Sequence, residues 1–173
     1  QADAASPAPG RPSVSQGTFE SIREARIKAE FPQLVDNNVA RGLEEGLINC
    51  KKCSNSLVDR LLGNQNLGAA GGVAPGGAGG YQYTAIHKTY EFSASRIGVR
   101  AMANKIREIG PGSVFYLRGV RASDDIGNHA MAVVNKNGRI FYLDGQSESI
   151  ADLSARQRYI SFELWYVGRM PGS

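Results

Sequence analysis

Cysteine and histidine are scarce in this chain, at two of each in 173 residues. Cys50 and Cys53 stand in a single C-x-x-C step, too few and too close for the disulfide framework of a small secreted domain. A zinc finger would need further ligands at short spacing, and His87 and His129 lie far apart in the chain. A thioredoxin-like pair would follow a strand in a βαβ unit, whereas the segment before Cys50 reads as helical. No metal site and no cofactor is expected. Long hydrophobic runs are missing as well: nothing approaches the ~20 consecutive apolar residues of a bilayer span, so no membrane span is expected. Charge of one sign is also sparse. The net charge is +4, yet basic residues alternate with acids, as in Glu20, Arg23, Glu24 and Arg26, or Lys105, Arg107 and Glu108. That pattern suits solvated helix faces and argues against nucleic acid as the partner.

With 42% apolar residues, the chain has material for one domain with a core of its own. The opening QADAASPAPGRPSVSQG is rich in Ala, Pro, Ser and Gly, and residues 1–17 read as a flexible linker or processed N-terminus ahead of a domain at 18–173. A helix is predicted from Thr18 to the neighbourhood of Pro32, with Phe19, Ile22 and Ile27 as a rough apolar stripe. A second helix is predicted from Asp36 or Asn37 through Glu45, stopped by Gly46. A third starts after Asn49 as N-cap, carries Cys50, Cys53, Leu57, Val58, Leu61 and Leu62 at three- and four-residue steps, and ends at Gly63. Residues 63–80 hold eight glycines and read as a surface loop or a mobile flap beside a site. A fourth helix follows Ser93 or Ser95, with Ile97, Val99, Met102, Ile106 and Ile109 on one face and Gly110 as terminator. Beyond it the period turns to alternation: SVFYLRGVR, HAMAVVN, RIFYLDG and YISFELWYVGR read as strands. The middle two are joined at Asn137-Gly138, a pair suited to a type I′ turn. Helices first and an antiparallel sheet after them give an α+β fold class.

Three residues in this layout carry chemistry together. Cys50 opens a helix, where free backbone N–H groups and the dipole favour a thiolate and could hold an oxyanion. Lys51 and Lys52 are expected to lower its pKa further. Cys53, one turn on, shares the stripe of Leu57 and Leu61 and reads as a small core residue, so Cys50 is the expected nucleophile and Cys53 the alternative. In a hairpin turning at 137 and 138, positions that sum to about 275 face each other, so His129 and Asp144 are diagonal neighbours across two strands. A thiol at a helix start with a histidine–carboxylate pair completes the logic of a nucleophile, its proton carrier and an orienting acid. Gln146 or Asn128 could add a polar contact to an oxyanion.

At the segments NCKKCSNSLVDRLLG and NHAMAVVNKNGRIFYLDGQ, the chain resembles the papain-like fold toxins, bacterial effector and polymorphic-toxin domains related to glutamine-deamidating toxins. The resemblance runs over roughly residues 47–146 and includes the Asn-Cys helix start and the Asp-Gly-Gln that ends the second strand. It implies a papain-like cysteine hydrolase with a Cys50, His129 and Asp144 triad acting on an amide. It also implies a secreted protein, delivered by a bacterial secretion system, that acts on a target protein in another cell's cytosol, with a cognate immunity protein or chaperone as possible partner. The expected activity is deamidation of a glutamine side chain in a target protein; peptide cleavage, as in a thiol protease, is the alternative, and the triad alone does not separate the two. From other classes, a basic nuclease toxin using His129, or a non-catalytic binding module, competes with it.

Overall fold

The structure is a computed structural model that describes residues 16–64, 88–122 and 127–173. The glycine-rich stretch, except for Gly63 and Asn64, and His87 lie outside the described residues, as does most of the expected linker. Gln16 and Gly17, its last two residues, already belong to the first helix.

Three helices and six strands make up the described part: α1 Gln16–Glu30, α2 Cys50–Leu61, β1 Thr89–Ser93, α3 Arg96–Ile109, β2 Ser113–Arg121, β3 His129–Lys136, β4 Arg139–Asp144, β5 Ser149–Ile150 and β6 Tyr159–Arg169. The strands form one antiparallel sheet in the order β1-β6-β2-β3-β4-β5, an α+β arrangement. The β3–β4 register pairs Ala132 with Leu143 and Val133 with Tyr142, the pairing expected from a turn at 137 and 138. Asn137 and Gly138 both have positive φ, 56° and 88°, as a type I′ turn requires.

Alternation along the strands feeds two cores on opposite faces of the sheet. Val114, Tyr116, Ala130, Ala132, Val134, Leu143 and Trp165 pack with Leu57, Val58 and Leu61 of α2 and Ile27 of α1. Phe115, Leu117, Met131, Val133, Phe162 and Leu164 pack with Met102 and Ile106 of α3. Two of the β3 residues under α2 are alanines, and their short side chains let the helix settle close to the strand. Ser95 caps α3 by accepting the Gly98 N–H at 3.1 Å, and Gly110 ends it with φ of 110°.

The structure departs from expectation in several places. No helix forms over 36–45; the chain makes turns there and a short 3-10 segment at Glu44–Leu47. The reason lies in Asn37 and Asn38, whose side chains are spent on distant partners described below, an alternative that competes with helical hydrogen bonding. The apolar stripe of α1 is mostly exposed at Phe19 and Ile22, and only Ile27 is buried; Ile97 of α3 likewise faces outward. Strands β1 and β5 were not expected. Both lie at sheet edges, where one neighbour and a short length leave little alternation to read.

Candidate active site

Cys50 is the first residue of α2, directly after Asn49. The buried stripe Cys53, Leu57, Val58 and Leu61 seats the helix on the sheet, and that seating leaves Cys50 half-buried at its rim. His129 opens β3 and Asp144 closes β4, so the hairpin register brings the two together. His129 Nε2 lies 2.7 Å from Asp144 Oδ2, with both side chains 16% exposed. Asp144 Oδ1 accepts the backbone N–H groups of Gln146 at 2.9 Å and Ser147 at 3.2 Å, so the carboxylate is held on both oxygens. With Nε2 committed to Asp144, Nδ1 is the nitrogen left for the hydrogen bond His129 makes to Cys50.

Charge on the three groups follows from this line of contacts. Burial alone would push the Cys50 thiol up, but hydrogen bonding to His129, the imidazolium charge and the Ala130 N–H outweigh it and bring the thiol below its ordinary value. Burial would lower His129, yet the hydrogen bonds to Asp144 and Cys50 and their charges raise it to about 9. Burial would raise Asp144, and the His129 hydrogen bond and charge with the two backbone donors hold it below the usual carboxylate range. Such an arrangement is able to keep a thiolate and an imidazolium side by side near neutral pH. Cys53 is the opposite case: fully buried, it is pushed up to about 12 by desolvation, then by Asp144 and Cys50. The lysines expected to help Cys50 do not lead; Lys52 is felt at Cys53.

The residue at the N-cap position is Asn49, as expected, but its side chain makes no cap. It donates instead to Asn38 Oδ1 at 2.9 Å and accepts from Gln146 Nε2 at 3.3 Å. Of the two residues considered for an oxyanion, Gln146 therefore stands beside the start of α2, whereas Asn128 turns away to accept the Arg121 N–H at 3.1 Å.

Sequence reasoning missed three parts of this neighbourhood. Gly145 lies so close to α2 that a Cβ there would fall 2.8 Å from the Cys53 carbonyl oxygen and 2.7 Å from Asn37 Nδ2. Gly119 pairs with His129 across β2 and β3 and gives room to the Tyr159 ring, which a Cβ would meet at 2.3 Å. Tyr159, raised to about 12 by burial, also feels the charges of Asp144 and Cys50 and so borders the site. An isolated glycine inside a strand pattern is a usable signal of such close approach, and LRGVR contained it. Asn37 and Asn38 are the third omission, and only the side-chain chemistry of consecutive asparagines hinted at them. Among the described residues, no group of three or more His, Cys, Asp and Glu is placed to hold a metal ion.

The family described as Papain fold toxin 1, glutamine deamidase, matches residues 48–149, a span that contains Cys50, His129 and Asp144. The chain belongs to this family. Its fold is similar to that of a variant of the Salmonella effector SpvD, with TM-score 0.50 and 11% identity over 92% of this chain and 96% of the other. No curated protein matches the chain significantly. Membership of the papain-fold toxins makes the chain a hydrolase of toxin or effector type, and among the described residues no helix is long and apolar enough to cross a membrane.

Proposed function

We propose that residues 18–173 form a papain-like catalytic domain that deamidates a glutamine side chain in a target protein. Cys50 is the nucleophile, His129 carries the proton and Asp144 orients His129. The observation that carries this reading is the unbroken series thiol, imidazole, carboxylate, with its 2.7 Å His129–Asp144 contact, inside the span matched by the glutamine deamidase family.

In this reading the Cys50 thiolate attacks the side-chain carbonyl carbon of glutamine and a C–S bond forms. The oxyanion of the tetrahedral intermediate is met by the Cys50 N–H, which opens α2 without a side-chain cap from Asn49, and by the Gln146 amide beside it. His129 gives its proton to the departing nitrogen, the C–N bond breaks and ammonia leaves a thioester. Neutral His129 then takes a proton from water, whose oxygen attacks the thioester; glutamate is released and the thiolate–imidazolium pair is restored. Asp144 stays ionised throughout and holds the ring with Nδ1 toward sulfur.

Delivery by a bacterial secretion system would bring the protein into another cell, whose reducing cytosol keeps Cys50 free; a cognate immunity protein or chaperone fits the same setting. Intact mass spectrometry of candidate targets tests the activity. Deamidation adds about one mass unit to the target and requires Cys50, whereas release of a peptide amine from the same thioester chemistry would give fragments. Full toxicity of Cys50→Ser together with degraded nucleic acid would overturn the reading in favour of a nuclease.

A further inference from the structure

The turn between α1 and α2 contains a polar network that the proton-transfer scheme does not use. Asn38 is only 3% exposed and its side chain is fully engaged. Nδ2 donates to the Gly46 carbonyl at 3.1 Å and the Gln146 carbonyl at 2.9 Å. Oδ1 accepts from Asn49 Nδ2 at 2.9 Å and from the Ala40 N–H at 3.2 Å. The backbone N–H of Asn38 donates to Glu148 Oε2 at 3.1 Å. Gln146 closes the figure by donating from Nε2 to Asn49 Oδ1. Asn38, Asn49 and Gln146 thus form a closed triangle of hydrogen bonds.

The corners of that triangle are not arbitrary. Asn49 immediately precedes Cys50, and Gln146 lies two residues beyond Asp144. The nucleophile stands on α2 while its partners stand on the β3–β4 hairpin, so their alignment depends on how firmly the helix start is tied to the loop after β4. A buried polar network with every member satisfied fixes one arrangement, because any slip leaves desolvated groups unpaired. The charged groups around it are themselves paired: Glu148 with Arg41 at 3.3 Å and Lys28 at 3.8 Å, and Asp144 with His129.

We propose that Asn38 is a positioning residue of the reaction, tying the start of α2 to the loop after Asp144 so that the Cys50 sulfur meets the His129 ring. The role deepens the amidase reading and rests on it. Its test needs no substrate: the rate of Cys50 alkylation by iodoacetamide is followed against pH in the folded full chain, for wild type, Asn38→Ala, Asn49→Ala and Met102→Ala. Met102 is buried on the opposite face of the sheet and serves as a variant that loses packing without touching the triangle.

In Asn38→Ala the midpoint of the alkylation profile moves up by about one pH unit toward that of an ordinary thiol, because the imidazolium no longer sits squarely against the sulfur. Asn49→Ala moves it the same way and carries the test alone if Asn38→Ala does not fold. Met102→Ala lowers the thermal midpoint and leaves the profile in place. A profile unmoved in Asn38→Ala, or unmoved in Asn49→Ala where only that variant folds, overturns the positioning role and leaves the amidase reading untouched. A shift of equal size in Met102→Ala overturns it too. A wild type with a lowered thiol midpoint that Asn38→Ala raises, with no deamidation in the targets tested, supports the alignment of Cys50 with His129 by Asn38 and counts against the amidase reading alone.

Discussion

At the scale of single residues, the two cysteines make opposite predictions from the same helix. On the proposed mechanism, Cys50→Ala is expected to reduce deamidation by roughly 10⁴-fold or more, since removal of the proposed nucleophile leaves only binding and oxyanion contacts. Cys53→Ala leaves activity within a few-fold and costs about 1–2 kcal/mol in urea denaturation, the loss of a small buried side chain. The pH dependence follows from the signs of two shifts. The thiolate exists above the lowered value of Cys50, and the imidazolium exists below the raised value of His129, about 9. Activity therefore rises through a value below 9.0 and falls near about 9. Asp144→Asn removes the carboxylate that raises His129, so the basic limb of the kcat/KM profile moves down toward 6.5. Turnover falls by roughly 10²–10⁴-fold. A basic limb that stays at the wild-type position in Asp144→Asn would show that another group sets it.

At the scale of elements, two glycines separate local from tertiary demands. Gly138 was readable from its neighbour: Asn-Gly between alternating strands needs positive φ, and the turn has it. Gly138→Ala is expected to cost about 1 kcal/mol in denaturation with activity retained, since nothing lies within 4 Å of a Cβ there. Gly145 carries no unusual φ; its requirement comes from the backbone of α2 against it. Gly145→Ala is expected to cost about 1–3 kcal/mol by overpacking and, unlike Gly138→Ala, to lower turnover as the loop after Asp144 is pushed off the helix. Comparing the two variants by urea denaturation and initial rates checks both. The helix expected over 36–45 failed for a related reason. Its pattern was locally acceptable, but Asn37 donates to the Cys53 carbonyl at 2.9 Å and to the Gly145 carbonyl at 3.0 Å, the second across far more of the chain than a sequence window spans.

Across the whole molecule, a sheet covered on both faces gives two cores with different consequences. Leu57 of α2 and Met102 of α3 are both fully buried, and truncation of either to alanine is expected to cost roughly 2–5 kcal/mol. Of the two, only Leu57 belongs to the stripe that seats the helix opened by Cys50, the proposed nucleophile, on β3. Leu57→Ala should therefore reduce turnover well below its own unfolding midpoint, where Met102→Ala remains active; rates and denaturation curves on the same samples decide it.

What the chain alone determined was periodic or adjacent in sequence. The 3.6-residue stripe of α2, the alternation of β2, β3, β4 and β6, and the Asn-Gly turn each follow from backbone geometry and local burial. Because a two-residue turn sets hairpin register, the nearness of His129 and Asp144 was legible too, fifteen positions apart in sequence though they are. Tertiary structure decided the rest: the approach of Cys50 to His129, the room Gly119 makes for Tyr159, and the use of Asn38 and Asn49 as ties instead of helix and cap. Those contacts join segments about eighty to one hundred and ten residues apart or depend on a neighbour's shape, and side-chain hydrogen bonds between such segments leave no period in the chain that makes them.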